Sequence, residues 1–256
     1  MPINGGAAFL EPSVPLEGKT SPNATEVSGR SEACYRAPLG WVRSLVKIQS
    51  SRPNLSVIYQ VYPSLCDCGL NWGKLRIAFY KYDGSNLRWE WAPKRGWYKY
   101  GTRTQLFNET DPLFGQAIPI FQDTMGAEIA RRCKDAERGV QRIIVYTEFF
   151  GPSSFAGEHE LAEPKKLKLF DIKLYKRGIM SPRQFVKTFG DLPYSAQVTY
   201  EGNLNKQFID DVRKGVYPVW EGVVAKGDDF IIKIKTDIYF KKLNEVYGTE
   251  YRNYWE

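Results

Sequence analysis

The sequence predicts an α+β fold of largely antiparallel sheets with flanking helices. Short runs with a strand period, rich in aromatic and β-branched residues, outnumber the helical patterns. Strands and helices do not follow each other in strict βα alternation, which disfavours a parallel sheet. A hydrophobic fraction of 43% and an aromatic fraction of 14% over 256 residues provide for a sizeable core.

Strand patterns begin after residue 41 and continue to residue 235. The predicted strands are residues 56–62, 75–82, 87–91, 97–102, 142–150, 167–175, 196–200, 220–225 and 230–235. The predicted helices are residues 118–137, 181–188, 204–214 and 239–246. The helix over 181–188 has the clearest boundaries, because Ser181 offers a capping hydroxyl before Pro182 and Gly190 follows its end.

The chain is expected to form one domain with an N-terminal arm. Residues 1–36 are rich in Gly, Pro, Ser, Thr and Asn and show no period, which predicts a flexible or draped arm before a domain over 37–256. We find no signal peptide and no apolar run of membrane-spanning length, so an intracellular location is expected. A net charge of +7 favours anionic partners.

Histidine and cysteine usage excludes several kinds of site. His159 is the single histidine and lies in a polar stretch, so triads and zinc sites that need several imidazoles are excluded and a solvated loop position is expected. The 4 cysteines lack the spacing of a zinc ribbon or a disulfide framework, and we expect free thiols.

The strongest local signal is Lys81, which follows the apolar strand 75–80 and precedes the turn Asp83-Gly84. A lysine delivered by a buried strand into a glycine turn is partly desolvated, which predicts a lowered pKa and a nucleophilic amine. Taken alone, the pattern also fits a β-turn with a surface lysine.

Further polar clusters follow in order, each at or beside an apolar strand. They are Arg103 in Tyr-Gly-Thr-Arg, Glu148 in Tyr-Thr-Glu-Phe-Phe-Gly, Phe170-Asp171-Ile172, Glu221-Gly222-Val223-Val224, and Lys233-Ile234-Lys235-Thr236. An ordered set of this kind is far more specific than a single motif.

In this order the motifs resemble those of the covalent nucleotidyltransferase superfamily, which comprises ATP-dependent RNA and DNA ligases and mRNA capping enzymes. The matching patterns are K-x-D-G, a Glu before an aromatic, an aromatic beside Asp-Ile, E-G-x-V and K-x-K, over residues 75 to 236. The resemblance implies the nucleotidyltransferase fold, an ATP-grasp-like ligase adenylation domain. Asn86 stands where DNA ligases and capping enzymes usually have Arg, so the chain looks most like a phage or viral RNA ligase.

The resemblance also implies the role of each residue. Lys81 would attack the α-phosphorus of ATP and form lysyl-AMP, and Lys233 and Lys235, which alternate on one strand, would stabilise the phosphate charge. Glu221 would bind Mg²⁺ or Mn²⁺. The implied nucleotide-binding residues are Asp83, Asn86, Arg103, Glu148 and Phe170, the last by stacking on the purine.

Basic residues alternate with aromatics between the first motif and Arg103. This pattern suits phosphate neutralisation and base stacking, and it predicts nucleic-acid contacts by Arg88, Lys94, Arg95 and Lys99. A twisted hairpin with one buried aromatic face explains it equally well. Residues 165–168, Lys-Lys-Leu-Lys, read as a solvated basic loop.

The predicted function is ATP-dependent RNA ligation in RNA repair, with ATP as co-substrate and a divalent metal. The expected partner is RNA with 5′-phosphate and 3′-hydroxyl ends, with DNA as an alternative substrate; we expect a monomer without a membrane partner, in the host cytoplasm if viral. The chain ends soon after Thr236, so no C-terminal oligonucleotide-binding (OB) domain is expected. A capping-type guanylyltransferase, a small DNA ligase and a catalytically silent nucleic-acid-binding protein remain the alternatives.

Overall fold

Two antiparallel sheets organise the computed structural model, which describes residues 75–152, 154, 162–228 and 230–248. The strands are β1 (Leu75–Lys81), β2 (Ser85–Ala92), β3 (Gly96–Gly101), β4 (Leu106–Phe107), β5 (Ile143–Phe150), β6 (Lys166–Leu174), β7 (Gly178–Ile179), β8 (Val198–Asn203), β9 (Gly222–Lys226) and β10 (Ile231–Lys235). The four-stranded sheet has the order β10-β9-β1-β8, and the six-stranded sheet has the order β4-β3-β2-β5-β6-β7. This confirms the predicted fold class.

Helices flank the sheets. They are α1 (Ala117–Phe121), α2 (Ala127–Ala136), α3 (Pro182–Phe189), α4 (Lys206–Arg213) and α5 (Asp237–Tyr247), with a π-helical turn, Gln122–Gly126, between α1 and α2. The start of α3 is as predicted, since the Ser181 hydroxyl accepts a hydrogen bond from the Gln184 amide and Pro182 occupies the first turn. None of the helices in the described ranges is long and apolar enough to cross a membrane.

The main core lies on one face of the six-stranded sheet. Trp89 of β2 stacks on Phe121 of α1 with a centroid distance of 4.1 Å, and Phe185 of α3 meets Phe79 of β1 edge to face. A second core forms where Phe208 of α4 packs on the outer face of the four-stranded sheet. Each sheet therefore has one face covered by helices, and on the second faces Ile231 of β10 packs against Ile144 and Tyr146 of β5.

Several predictions lie outside the described residues. These are the arm over 1–36, the strand over 56–62, His159, and the cysteines other than Cys133, which is buried and free. The basic loop predicted over residues 165–168 is instead largely strand, because β6 begins at Lys166 and continues the six-stranded sheet.

Candidate active site

A cavity of about 830 Å³ lies between the two sheets. Its lining contains every residue for which the sequence predicts a catalytic, nucleotide-binding or metal-binding role: Lys81, Asp83, Asn86, Arg103, Glu148, Phe170, Glu221, Lys233 and Lys235. These side chains come from both sheets, from the turn between β1 and β2, from the loop after β3 and from the residue before β9. The cavity thus brings together residues that are separated by up to 154 positions in the chain, Lys81 and Lys235 being the outermost.

Strand register places the lysines on one wall. Gly222 of β9 pairs with Lys81 of β1 on one side and with Lys235 of β10 on the other. Directly paired residues point to the same face of a sheet, so Lys81 and Lys235 point the same way, and Lys233 follows two positions before Lys235. The alternating Ile232 and Ile234 point to the opposite face, into the core under α4.

Glu221 lies between two of these lysines. Its side chain is almost fully buried, and its two carboxylate oxygens contact Lys81 Nζ at 2.8 Å and Lys235 Nζ at 3.0 Å. The Thr236 amide donates to the Glu221 carbonyl at 3.0 Å, while the Thr236 hydroxyl caps α5 by accepting from the Tyr239 amide. The position of the carboxylate is therefore fixed by both backbone and side-chain contacts.

The pKa of Lys81 is raised, whereas the sequence predicts a lowered pKa. Burial alone would lower the pKa, but attraction to Glu221, Glu148 and Asp83 outweighs burial and raises it above its ordinary value. The predicted lowering is wrong for this arrangement of charges, because the desolvated lysine lies among carboxylates. Lys81 is therefore held in the protonated state unless those charges are compensated.

The pKa values of the other two lysines, Lys233 and Lys235, are lowered, because burial outweighs the attraction of nearby carboxylates. Burial, aided by the positive charges of Lys235 and Lys81, lowers the pKa of Lys233 to about 8. Burial also lowers the pKa of Lys235, against the attraction of Glu221. A ligand with negative charge would relieve both effects, so this wall is suited to phosphate groups.

Two carboxyl groups of the cavity, those of Asp83 and Glu148, have raised pKa values. Burial, with repulsion from Glu221, raises the pKa of Asp83 to about 7. Burial likewise raises the pKa of Glu148 to about 8, although Lys81 opposes this. Glu148 is the cross-strand partner of Asn86, so these two side chains share one face of the six-stranded sheet.

The donor set fits a divalent cation that is completed by other ligands. Asp83 Oδ2 is buried and has no hydrogen-bond partner, and Asp83 and Glu221 repel each other. Within the described ranges, no group of three or more His, Cys, Asp or Glu side chains converges as a metal site. Since Mg²⁺ commonly binds one or two carboxylates together with phosphate oxygens and water, the residues fit a metal that arrives with a nucleotide.

Two glycines of the motifs have a steric basis. Gly222 has φ +146°, and a Cβ there would lie 2.0 Å from the Ile234 carbonyl oxygen. A Cβ at Gly84 would lie 2.4 Å from the Phe149 carbonyl oxygen. In both positions the backbones approach too closely for a side chain, which keeps Lys81 and Glu221 beside their neighbouring strands.

Sequence reasoning missed Lys226 and the contribution of α5. Lys226 of β9 is buried, lines the cavity, and contacts Asp171 Oδ2 at 2.9 Å and the Phe170 carbonyl at 2.7 Å. Tyr239 of α5 also lines the cavity and donates to Asp83 Oδ1 at 3.4 Å. Lys226 lies two positions after Val224 on β9 and therefore on the same face of the strand, which could have predicted its place in the cavity. No local pattern points to Tyr239.

Phe170 is half-buried at the cavity wall. Its ring is 6.4 Å from that of Tyr146 and 5.4 Å from Lys226 Nζ. The ring thus contacts both sheets, and the residue also lines the cavity. An aromatic ring in this position can stack on a planar ligand.

The hairpin of β2 and β3 corrects part of the nucleic-acid prediction. Arg88 is 1% exposed and pairs with the equally buried Glu90, so it cannot form the predicted surface contact. Lys99 is directed to Glu90 at 3.2 Å. Lys94 and Arg95 are exposed at the turn, where Arg95 stacks over Tyr98. None of these four residues lies in the cavity lining.

Comparison with solved structures identifies proteins of similar fold. The Naegleria gruberi RNA ligase with PPi matches with a TM-score of 0.53 and 20% identity, over 68% of this chain and 53% of that chain. A variant of the same ligase with ATP and Mn matches with a TM-score of 0.51 and 19% identity, over 67% of this chain and 52% of that chain. The chain spans about half the length of these structures and shares their fold.

Sequence comparison gives no assignment. No protein-family model matches the chain, and no curated protein matches it. The similarity that these comparisons show therefore lies in the fold.

Proposed function

We propose that the protein is an ATP-dependent RNA ligase that joins 5′-phosphate and 3′-hydroxyl ends through a lysyl-AMP intermediate on Lys81. The observation that supports this most directly is the convergence of Lys81, Glu221 and the lysines of β10 on one wall of a nucleotide-sized cavity. The fold shared with an RNA ligase agrees with the proposal.

In the first step, Lys81 Nζ would form a bond to the α-phosphorus of ATP while the bond to the β-phosphate oxygen breaks and pyrophosphate leaves. Lys81 would release one proton to solvent on becoming the neutral amine, and Glu221 Oε2, which accepts its hydrogen bond at 2.8 Å, would receive the second proton as the N–P bond forms. A divalent cation bound with ATP would supply the positive charge that offsets the carboxylates around Lys81. Lys233 and Lys235 would bind the phosphate oxygens on which negative charge develops.

Two further transfers complete the reaction. A 5′-phosphate oxygen of the RNA would attack the phosphorus of lysyl-AMP, which breaks the N–P bond and restores the Lys81 amine. A 3′-hydroxyl would then attack the activated 5′-phosphate, forming the phosphodiester and displacing AMP. The chain contributes positioning and charge stabilisation in each step.

The decisive experiment is covalent labelling. We expect the protein to take up label from α-labelled ATP with Mg²⁺ or Mn²⁺, and we expect Lys81→Ala to abolish the label while Lys214→Ala, at an exposed lysine, retains it. Absence of label in the parent, or equal label in Lys81→Ala, would refute the proposal and favour a silent nucleic-acid-binding protein. Preference for GTP would indicate a capping-type enzyme.

Substrate comparison tests the finer assignment. Purified protein that seals RNA ends faster than nicked DNA supports RNA ligation, and the reverse result indicates a small DNA ligase. The phage or viral origin, the host-cytoplasmic location, the monomeric state and the N-terminal arm stay predictions.

A further inference from the structure

Three aromatic rings form a continuous array beside the turn that follows Lys81. The ring of Tyr80 lies 4.7 Å from that of Tyr82, which lies 5.1 Å from that of Phe150, with interplanar angles of 38° and 31°. We call Tyr80, Tyr82 and Phe150 the aromatic ladder. All three residues are half-buried, unlike the rings of the main core such as Trp89 and Phe121.

The ladder is held in place by its neighbours. The Tyr80 hydroxyl accepts a hydrogen bond from the Trp220 amide at 3.3 Å. Phe150 packs against the turn after β1 so closely that a Cβ at Gly84 would lie 2.8 Å from the Phe150 Cβ. Rings fixed in this way lose little conformational entropy when a flat ligand stacks on them.

Lysines lie along the ladder. Lys166 of β6 is the direct cross-strand partner of Phe150, and its side chain is 54% exposed. Its surface ion pair with Glu163 has an N–O distance of 3.9 Å and is weak at that exposure. Lys168, two positions later on the same face, lies 5.8 Å from the Tyr82 ring and is fixed by a hydrogen bond to the Pro193 carbonyl.

We infer that the aromatic ladder, with Lys166 and Lys168, binds the terminal nucleotides of a single-stranded polynucleotide whose 5′-phosphate receives AMP from Lys81. The bases would stack on the rings, and the phosphates would face the lysines. This inference rests on the proposed function for the identity of the substrate.

The chemistry of the array favours this occupant. Every base has a flat π-face, so stacking on rings accepts any sequence, as an end-joining enzyme requires. Lysines beside the rings can neutralise the backbone phosphates of a polynucleotide. A protein partner or a lipid tail has no such row of phosphates. Tyr80 and Tyr82 also line the cavity that contains Lys81, so the ladder adjoins the proposed reaction site.

The test measures RNA affinity and nucleotide attachment separately. Binding of a 5′-phosphorylated single-stranded RNA is followed by fluorescence anisotropy for the parent, Phe150→Leu and Lys166→Gln, with melting curves to check the fold. We expect Phe150→Leu to raise the Kd about tenfold through loss of one stacking contact. For Lys166→Gln, the slope of log Kd against log salt should decrease by about 0.7, as expected for one lost phosphate contact on a single strand.

Tyr175→Leu is the matched control. Tyr175 is an exposed tyrosine with Arg142 and Lys176 each within 6 Å of its ring, but it follows the opposite end of β6. We expect its Kd to equal that of the parent. If Phe150→Leu and Lys166→Gln both bind like the parent, or if Tyr175→Leu weakens binding as much as Phe150→Leu, the ladder is not the binding surface.

Labelling with α-labelled ATP, without RNA, separates this inference from the proposed function. Phe150 and Lys166 are not part of the cavity lining among the described residues, so both variants should still form the lysyl-AMP adduct. If the parent takes no AMP while the two variants still bind RNA more weakly, the enzyme proposal fails and the ladder stands only as an RNA-binding surface. If the parent takes AMP but the ladder variants leave RNA affinity unchanged, only the ladder fails.

Discussion

The ion pair between Lys226 and Asp171 gives the sharpest test of how the two sheets are held together. Lys226 belongs to β9 of the four-stranded sheet and Asp171 to β6 of the six-stranded sheet. They are 5% and 2% exposed, and their charged atoms are 2.9 Å apart. Lys226 also donates to the Phe170 carbonyl. Removal of Lys226 would leave the Asp171 carboxylate buried with its lysine partner lost.

The expected cost is large. Breaking a buried pair by removing one partner typically costs about 3–5 kcal/mol, because the remaining charge is uncompensated. For a cooperative unit of about 150–250 residues, 1 kcal/mol corresponds to about 2–4 °C in Tm. We therefore expect Lys226→Met to lower Tm by roughly 6–20 °C.

Urea denaturation, followed by tryptophan fluorescence, measures this cost. Lys226→Met and Asp171→Leu should each be strongly destabilised, and the double variant should recover much of the loss, since replacing a whole buried pair by apolar residues is often neutral. The control is Lys206→Met, which removes the exposed pair of Lys206 with Asp210 and should cost below about 1 kcal/mol. A loss in Lys226→Met no larger than the control, or additive losses in the double variant, would refute the reasoning.

Three further predictions concern single groups. Gly222→Ala should destabilise the fold by about 3 kcal/mol or more in urea, whereas Gly96→Ala, which also has positive φ but no atom within 4 Å of its Cβ, should cost only about 1–2 kcal/mol. Because the pKa of Glu148 is raised to about 8, the folded state keeps a proton that the unfolded chain releases, so stability without nucleotide should fall as pH rises from about 5 to 8. Glu148→Gln should flatten this pH dependence, and an unchanged slope in the variant would contradict the raised pKa. Burial raises the pKa of the Cys133 thiol to about 12, so peptide mass mapping should find it unmodified by iodoacetamide at pH 8 in the folded protein and modified in urea.

The strands were predictable because their signal is local. In β10 the alternation of lysine with isoleucine distinguishes a cavity face from a core face without any knowledge of the partner strand. The two-residue strands β4 and β7 have no such pattern and were missed. The helix predicted over 118–137 is interrupted by a π-helical turn that ends at Gly126, whose carbonyl accepts from the Trp97 indole at 3.0 Å. The spacing of apolar residues within the helix cannot reveal a contact of this kind with a distant strand.

The candidate site shows the same division between local and long-range information. The ordered motifs identify residues at strand ends, and antiparallel pairing brings Lys81 and Lys235 to one wall. The pairing of Lys226 with Asp171 spans 55 positions, and the burial of Arg88 depends on what covers the second face of β2; neither is encoded in a local pattern. The direction of the Lys81 pKa depends on carboxylates from three separate segments, so residue type and burial alone gave the wrong sign.

The perturbed groups of the cavity can be explained together. Four lysines, Arg103 and three carboxylates line the cavity, and burial leaves Asp83, Glu148 and Lys233 poorly solvated in their charged forms. A triphosphate alone would favour the lysines of β10 and repel Asp83 and Glu148, whereas a divalent cation alone would do the reverse. Only a nucleotide and a cation together relieve both sides. The buried lysines and carboxylates should therefore make the binding of the nucleotide and the binding of the cation cooperative. The bound cation would also offset the carboxylates that hold Lys81 protonated.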